Sequence, residues 1–169
     1  TEINYPVVQG PREGFYNSRN FYKKPSSYGV PYFSSTARIY SAAEVNRNLV
    51  IHGNNTGDGQ MFSGLTEYTK LEFLQSHPVI EMDTLYHNAE WKVFAVMAVS
   101  TLDAHPNNFR YDINTFADET AFMQFVSELR DRSLFDTPTT VQEGDNLLML
   151  TTAANAEVGF PGAKIVVAA

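Results

Sequence analysis

Three short segments of the sequence hold residues that could do chemistry, and each of them adjoins an apolar run. Residues 51–59 end one such run in a polar, glycine-rich loop that contains His52, Asn54 and Asp58. Loops at the ends of strands often carry binding or catalytic side chains. The same residue types also form ordinary turns, and on these residues alone a structural turn is favoured.

Two further segments lie near the C-terminus. The apolar run 147–150 is followed by Thr151 and Thr152, whose side chains would point to opposite faces of a strand, and then by Ala153. Lys164 begins the last apolar run, after a glycine-rich loop. Because β-branched threonine suits a strand end and a lone lysine at a strand start is usually solvated, each segment also has a purely structural interpretation.

The composition excludes several classes of function. The 169 residues include no cysteine, so neither a disulfide nor a thiolate nucleophile is available. The histidines at 52, 77, 87 and 105 lack metal-ligand spacing and no nucleotide-binding motif is present, so neither a metal nor a cofactor is predicted. A net charge of −7 argues against nucleic acid as the main partner.

The elements that must position these segments are mainly strands. Apolar runs predict strands at residues 5–9, 37–40, 48–52, 79–83, 91–100, 146–152 and 164–168. No linker or repeat divides these runs, so the sequence predicts one mostly-β domain over residues 1–169. A closed or nearly closed barrel of about seven to eight strands is preferred because it manages the strand edges, although a sandwich has the same periodicity.

Helices are predicted in the connections. Apolar side chains recur every third residue from Phe62 to Leu71, and they recur at helical spacing over residues 118–132, between an acidic start and a basic end. A third, shorter helix is predicted around residues 41–46. No run approaches about 20 apolar residues, so no membrane span is predicted. Both ends fall inside apparent strands, and we therefore expect a targeting or anchoring segment outside this sequence.

Taken in order, these segments resemble the class B sortases, a family of cysteine transpeptidases from Gram-positive bacteria. The matches are a Tyr-Pro-Val-Val-Gln segment at 5–9, a Tyr- and Asn-rich stretch at 15–22, a glycine and apolar strand at 29–33, a strand and Gly-Asp loop leading to Met-Phe at 49–62, a long helix at 118–132, the Leu-Ser/Thr-Thr-Cys signature at 150–153 and a final strand at 163–168. They cover nearly the whole chain in the family's order, which is more specific than any single motif.

The resemblance implies a fold and an activity. The fold would be a sortase-like closed β-barrel with two or three helices in its connections, including a long helix before the seventh strand. The activity would cleave the sorting signal of a surface or pilin protein at a threonine, through a thioacyl intermediate on cysteine, and join it to a cell-wall or pilin amine. A histidine would serve as acid and base, and an arginine would stabilise the substrate carbonyls or the oxyanion.

The resemblance also implies a location and places the site residues. The enzyme would lie on the extracellular face of the cell membrane, which it would touch only through an N-terminal anchor outside this sequence. Substrate-binding candidates, inferred from position, are Asn17, Thr151, Thr152 and Asn155, together with the loop 155–162. His52 stands before Gly53, where relatives often have an aromatic residue, so it is not taken as the base.

The family's catalytic positions hold other residues in this chain. Ala153 stands at the cysteine position and Asn54 at the histidine position. The arginine position is expected at Ala163; Lys164 is the alternative, and its side chain is expected to face the other side of the strand. Without the nucleophile the chain is predicted to be inactive as a transpeptidase. Deliberate replacement and a natural pseudoenzyme both fit, and the confinement of the changes to the site favours replacement.

Two rival hypotheses remain beside the inactive transpeptidase. One is a non-catalytic surface module, a natural pseudosortase that binds peptide. The other is a β-barrel that binds a small apolar ligand, which would need a large inner cavity.

Overall fold

The computed structural model describes residues 3–41, 44–86, 88–156 and 160–169. Its strands are β1 Val8–Gln9, β2 Tyr32–Phe33, β3 Ile39–Ser41, β4 Glu44–Val45, β5 Asn48–His52, β6 Val79–Asp83, β7 Asn88–Lys92, β8 Ala95–Ser100, β9 Leu147–Ala153 and β10 Ala163–Ala168. Its α-helices are α1 Leu71–Ser76 and α2 Glu119–Asp131, and 3-10 helices span Phe15–Ser18 and Ser63–Thr69. The mostly-β prediction is confirmed.

Six of the strands form one sheet in the order β1-β2-β5-β9-β10-β8. The two central strands β5 and β9 run parallel, while β10 is antiparallel to both β9 and β8. Two separate hairpins, β3-β4 and β6-β7, accompany this sheet. Parallel pairing of β5 and β9 brings the ends of both strands to the same edge, which is where two of the predicted site segments begin.

Both faces of the central strands are buried. Along β9, Leu147 and Met149 pack into one hydrophobic cluster with α2, whereas Leu148 and Leu150 pack into a second cluster. The 3-10 helix Ser63–Thr69 contributes Leu65 to that second cluster. Since alternate residues of a strand point to opposite faces, a continuous apolar run is what a strand covered on both sides requires.

Helix α2 agrees with the predicted helix at residues 118–132, and its start is fixed by polar contacts. Asp118 caps the helix by accepting a hydrogen bond from Ala121 N at 2.8 Å. The Arg47 guanidinium donates to both carboxylate oxygens of Glu119, at 2.8 and 3.0 Å, and lies 3.9 Å from the centre of the Phe122 ring. These contacts hold the first turn of α2 against the start of β5.

Three predictions about elements need correction. The predicted strand at 91–100 is two strands, because Val93 and Phe94 carry the chain from the β6-β7 hairpin to the main sheet. The predicted helix around 41–46 is wrong where the chain is described: Ser41 ends β3 and Glu44–Val45 is a strand, while residues 42–43 lie outside the described residues. The segment that begins at Phe62 is mainly a 3-10 helix, whose period of 3.0 residues matches the observed spacing of three.

Within the described parts of the chain, none of the helices has the length and apolar character needed to cross a membrane.

Candidate functional site

The predicted site segments converge at one edge of the main sheet. His52, the last residue of β5, is paired in register with Thr151 of β9, so the loop after β5 lies beside the end of β9. Ala153 at that end is paired with Lys164 at the start of β10. Three segments that are far apart in the sequence therefore meet because of the strand order and register.

Close packing fixes the loop after β5. Gly53 N donates to Thr151 O at 3.0 Å, and Phe62 N donates to Asn54 O at 3.0 Å. A Cβ at Gly53 would lie 2.3 Å from Phe62 Cγ, so only glycine fits between the strand end and the Phe62 ring. The glycine thus sets the direction in which Asn54 leaves the sheet.

The side chains of Asn54 and Asn55 tie this loop to both sides of the site. Asn54 Nδ2 donates to Asn17 O at 2.7 Å and to Tyr28 O at 3.1 Å. Asn55 Nδ2 donates to Ala153 O at 3.1 Å and to Asn155 Oδ1 at 2.7 Å. Both amide groups therefore hold segments of the cleft walls together.

Two clefts open at this edge. The first, which we call the polar cleft, has a volume of about 490 Å³ and is lined by residues that include Asn17, Asn54, Asp58, Thr151, Ala153 and Lys164. The second, which we call the loop cleft, has a volume of about 520 Å³ and is lined by residues that include Thr101, Asn155, Phe160 and Ala163. Ala153 and Lys164 line both clefts, so the two clefts meet there.

Asp58 and Lys164 are the two formally charged side chains that line the polar cleft. Asp58 accepts hydrogen bonds from the hydroxyls of Thr56 and Tyr28 and from Gln60 N, and the Thr56 bond contributes most to holding its pKa below the ordinary value. Lys164 is half-buried, and this burial lowers the pKa of its ammonium group. No hydrogen bond or ion pair joins Lys164 to any residue in the described ranges.

His52 lines the polar cleft as well, although the sequence analysis set it aside. Its ring stacks on Tyr32 with 5.2 Å between ring centres, and its Nε2 lies 3.5 Å from Glu13 Oε1. Burial lowers the pKa of His52, and the neighbouring Glu13 carboxylate opposes this shift. The signal that could have found it is its position at the end of a buried strand beside the Thr151 segment.

The predicted site residues divide between the two clefts. Asn17, Asn54, Thr151 and Ala153 line the polar cleft, whereas Asn155 and Ala163 line the loop cleft. Thr152 lines neither cleft. Its buried side chain donates a hydrogen bond from Oγ1 to Gly53 O at 2.8 Å, which is a structural contact between β9 and the loop after β5.

The expected orientation of Lys164 is wrong. Lys164 is the cross-strand partner of Ala153, and partners in an antiparallel pair project to the same face of the sheet. The adjacent Ala163 is the partner of Ser100 and projects to the opposite face. Lys164 is therefore the residue of this pair that stands beside both Asn54 and Ala153 in the polar cleft.

Titratable side chains in the described ranges form no group of three or more His, Asp or Glu residues that could hold a metal ion. The chemical groups that face the polar cleft are amides, hydroxyls, one imidazole, one carboxylate and one ammonium. Such a set can bind an extended peptide by hydrogen bonds, but the cleft contains no thiol.

Comparison with known proteins agrees with the fold and with the order of these segments. The chain is 28% identical over 156 residues to sortase B of Staphylococcus aureus and 26% identical over 154 residues to sortase B of Listeria monocytogenes. These alignments cover 92% and 90% of this chain but only 60% and 58% of the two relatives. The solved complex of S. aureus sortase B with a substrate matches with a TM-score of 0.84 and 26% identity, over 98% of this chain and 72% of that one.

No protein-family model matches the chain. The relatives and the structural match nevertheless agree with each other, and the chain is a class B sortase by sequence and fold. This family is a family of transpeptidases. The chain spans about 60% of the length of the curated relatives.

Proposed function

We propose that this sortase binds a sorting-signal peptide in the polar cleft without cleaving it. The observation that carries the proposal is the convergence of Asn54, Ala153 and Lys164 around one cleft, at the positions where the resemblance puts the catalytic residues. The S. aureus relative in complex with a substrate supports peptide as the class of ligand. The peptides would be sorting signals of surface or pilin proteins, presented on the outer face of a Gram-positive cell.

The lack of turnover follows from the side chains at the three positions. The methyl group of Ala153 cannot attack a carbonyl carbon, so no acyl intermediate forms and no wall or pilin amine is consumed. The Asn54 amide does not titrate, and it already donates to two backbone carbonyls. Lys164 supplies the one positive charge, but it lacks the planar two-pronged donor geometry of arginine.

The experiment restores the missing chemistry in steps. We expect Ala153→Cys combined with Asn54→His and Lys164→Arg to form a thioacyl adduct with sorting-signal peptides, detected by intact-protein mass spectrometry. The matched control replaces Lys164→Arg by Ala163→Arg in the same background. No adduct and no cleavage from either triple variant, with wild-type protein that also retains no peptide, would reject the proposal.

A second candidate function is a surface module whose partner binds elsewhere on the domain. The exposed position of Ala153 makes it testable, because Ala153→Trp should fill the junction of the clefts without disturbing the core. Peptide binding that survives Ala153→Trp would favour this second function. Glu90→Trp on the exposed side of β7 lies outside both cleft linings and serves as the control for adding an indole.

A further inference from the structure

The two charges in the polar cleft differ in how well they are satisfied. Asp58 accepts hydrogen bonds from Thr56, Tyr28 and Gln60. Lys164 is half-buried, yet no described residue gives its ammonium group a hydrogen bond or an ion pair. Withdrawing a cation from water without a partner costs free energy, so this ammonium group is arranged to receive an anion from a ligand.

The position of this cation restricts where the anion can lie. Lys164 is the cross-strand partner of Ala153, and both residues line the polar cleft and the loop cleft. A ligand that occupies either cleft therefore reaches Lys164 at the point where that cleft meets the other. The small, exposed Ala153 leaves the ammonium group open on the cleft side.

The neighbouring groups favour an anion of a single charge. Asn55 uses its amide on Ala153 O and Asn155 Oδ1, so it is not free to bind a ligand oxygen. Glu13 lies against His52 at 3.5 Å and accepts a hydrogen bond from Ser35 N at 2.9 Å. His52 is largely buried, which favours its neutral form, and Lys164 is left as the one fixed positive charge among the residues that line the polar cleft.

We propose that the junction at Lys164 binds the C-terminal carboxylate of a peptide, so that the cleft recognises a chain end rather than an internal peptide bond. This inference rests on the proposed function, because it assumes that the ligand is a peptide. The main chain of a peptide that runs on through the junction would present only neutral amide groups to the ammonium group. A peptide that ends there presents one carboxylate, which matches the charge and forms a charge-assisted hydrogen bond.

The test compares two peptide pools that differ only in their last group. Fluorescein-labelled random pentapeptides are prepared once as free acids and once as C-terminal amides, and each pool is passed over the immobilised domain. We expect the acids to be retained about tenfold more than the amides, since a hydrogen bond to a charged group is at stake. Lys164→Gln should remove this ratio and Lys164→Arg should keep it. Lys92→Gln, on exposed β7, should leave it unchanged.

The outcomes separate this inference from the proposed function. Equal retention of acids and amides would overturn the chain-end inference and leave peptide binding intact. Retention of neither pool would overturn peptide binding itself. An acid preference that survives Lys164→Gln would show that another group binds the carboxylate. Amides retained through Lys164 and enriched in Asp or Glu would show that a side-chain carboxylate is recognised, which also overturns the inference.

Discussion

The middles and the ends of strands β5 and β9 follow different rules. In the middle, Val50 and Met149 are completely buried, and apolar side chains cover both faces of the sheet. Only a few residues further on, the same strands lead to Asn54 and to the exposed Ala153. The residues that hold the fold together are thus separate from those at the positions of the family's chemistry, and the positions at the edge can change while the sheet is preserved.

The largest expected effect tests the buried side of this comparison. Phe122 of α2 is fully buried, meets Phe116 edge to face at 5.2 Å between ring centres and lies under the Arg47 guanidinium. We expect Phe122→Ala to lower the free energy of unfolding by about 3–5 kcal/mol, because it leaves a cavity in the core. Urea denaturation followed by circular dichroism measures this loss.

A matched aromatic on the surface provides the control. Phe21 is 52% exposed, so Phe21→Ala should change the free energy of unfolding by less than about 0.5 kcal/mol. A similar loss from both substitutions would mean that burial does not distinguish the core of this domain from its surface.

Sequence patterns predicted the buried regions better than the edge. Strands 48–52 and 79–83 and helix 118–132 agree with the structure because apolar periodicity reports directly which faces are covered. The pattern missed the break at Val93 and Phe94, since both residues are as buried as the strand that follows them. Apolar pattern alone cannot show where one sheet ends and the next begins.

The site residues were found in the sequence, but their arrangement was not. Asn54 and Ala153 could be located by the resemblance, because each stands beside a recognisable strand. The orientation of Lys164 depends on the register between β9 and β10, and a spacing count across the loop between those strands does not determine that register. His52 was missed because its contacts with Tyr32 and Glu13 come from segments distant in sequence.

The second prediction concerns a polar residue at the edge. Asn54→Ala removes hydrogen bonds to Asn17 O and Tyr28 O, and we expect it to cost about 1–2 kcal/mol of stability. Amide hydrogen exchange should also quicken in the segment that contains those two residues. Asn88→Ala in the β6-β7 hairpin removes one exposed side-chain hydrogen bond, to Asp83, and should cost less. If the two variants lose equal stability, Asn54 is not a clamp of the cleft wall.

The third prediction concerns pH, and its expected effect is smaller. Burial lowers the pKa of His52 below its usual 6.5, Lys164 adds to the lowering, and Glu13 and Asp112 oppose it. The unfolded chain therefore binds a proton at a higher pH than the folded chain does, and the stability present above about pH 6.5 decreases as the pH falls through the folded pKa. Melting temperatures measured from pH 8 to pH 5 should fall less steeply for His52→Gln than for wild type. Parallel curves would show that His52 does not couple folding to pH in this range.

The smallest expected effect tests whether the edge is independent of the core, and it uses two adjacent residues. Ala153 is exposed at the end of β9, so Ala153→Cys should change the free energy of unfolding by no more than about 0.5 kcal/mol. Thr152, its neighbour, is buried and donates to Gly53 O, so Thr152→Ala should cost about 1–2 kcal/mol. The two residues face opposite sides of one strand, so the contrast measures the side chain's surroundings rather than its place in the chain. A loss of more than about 1 kcal/mol from Ala153→Cys would mean that a thiol at this position strains the present sheet edge, because a surface substitution free of strain stays well below that. In that case the loss of the nucleophile and the packing of the edge would have to be explained together.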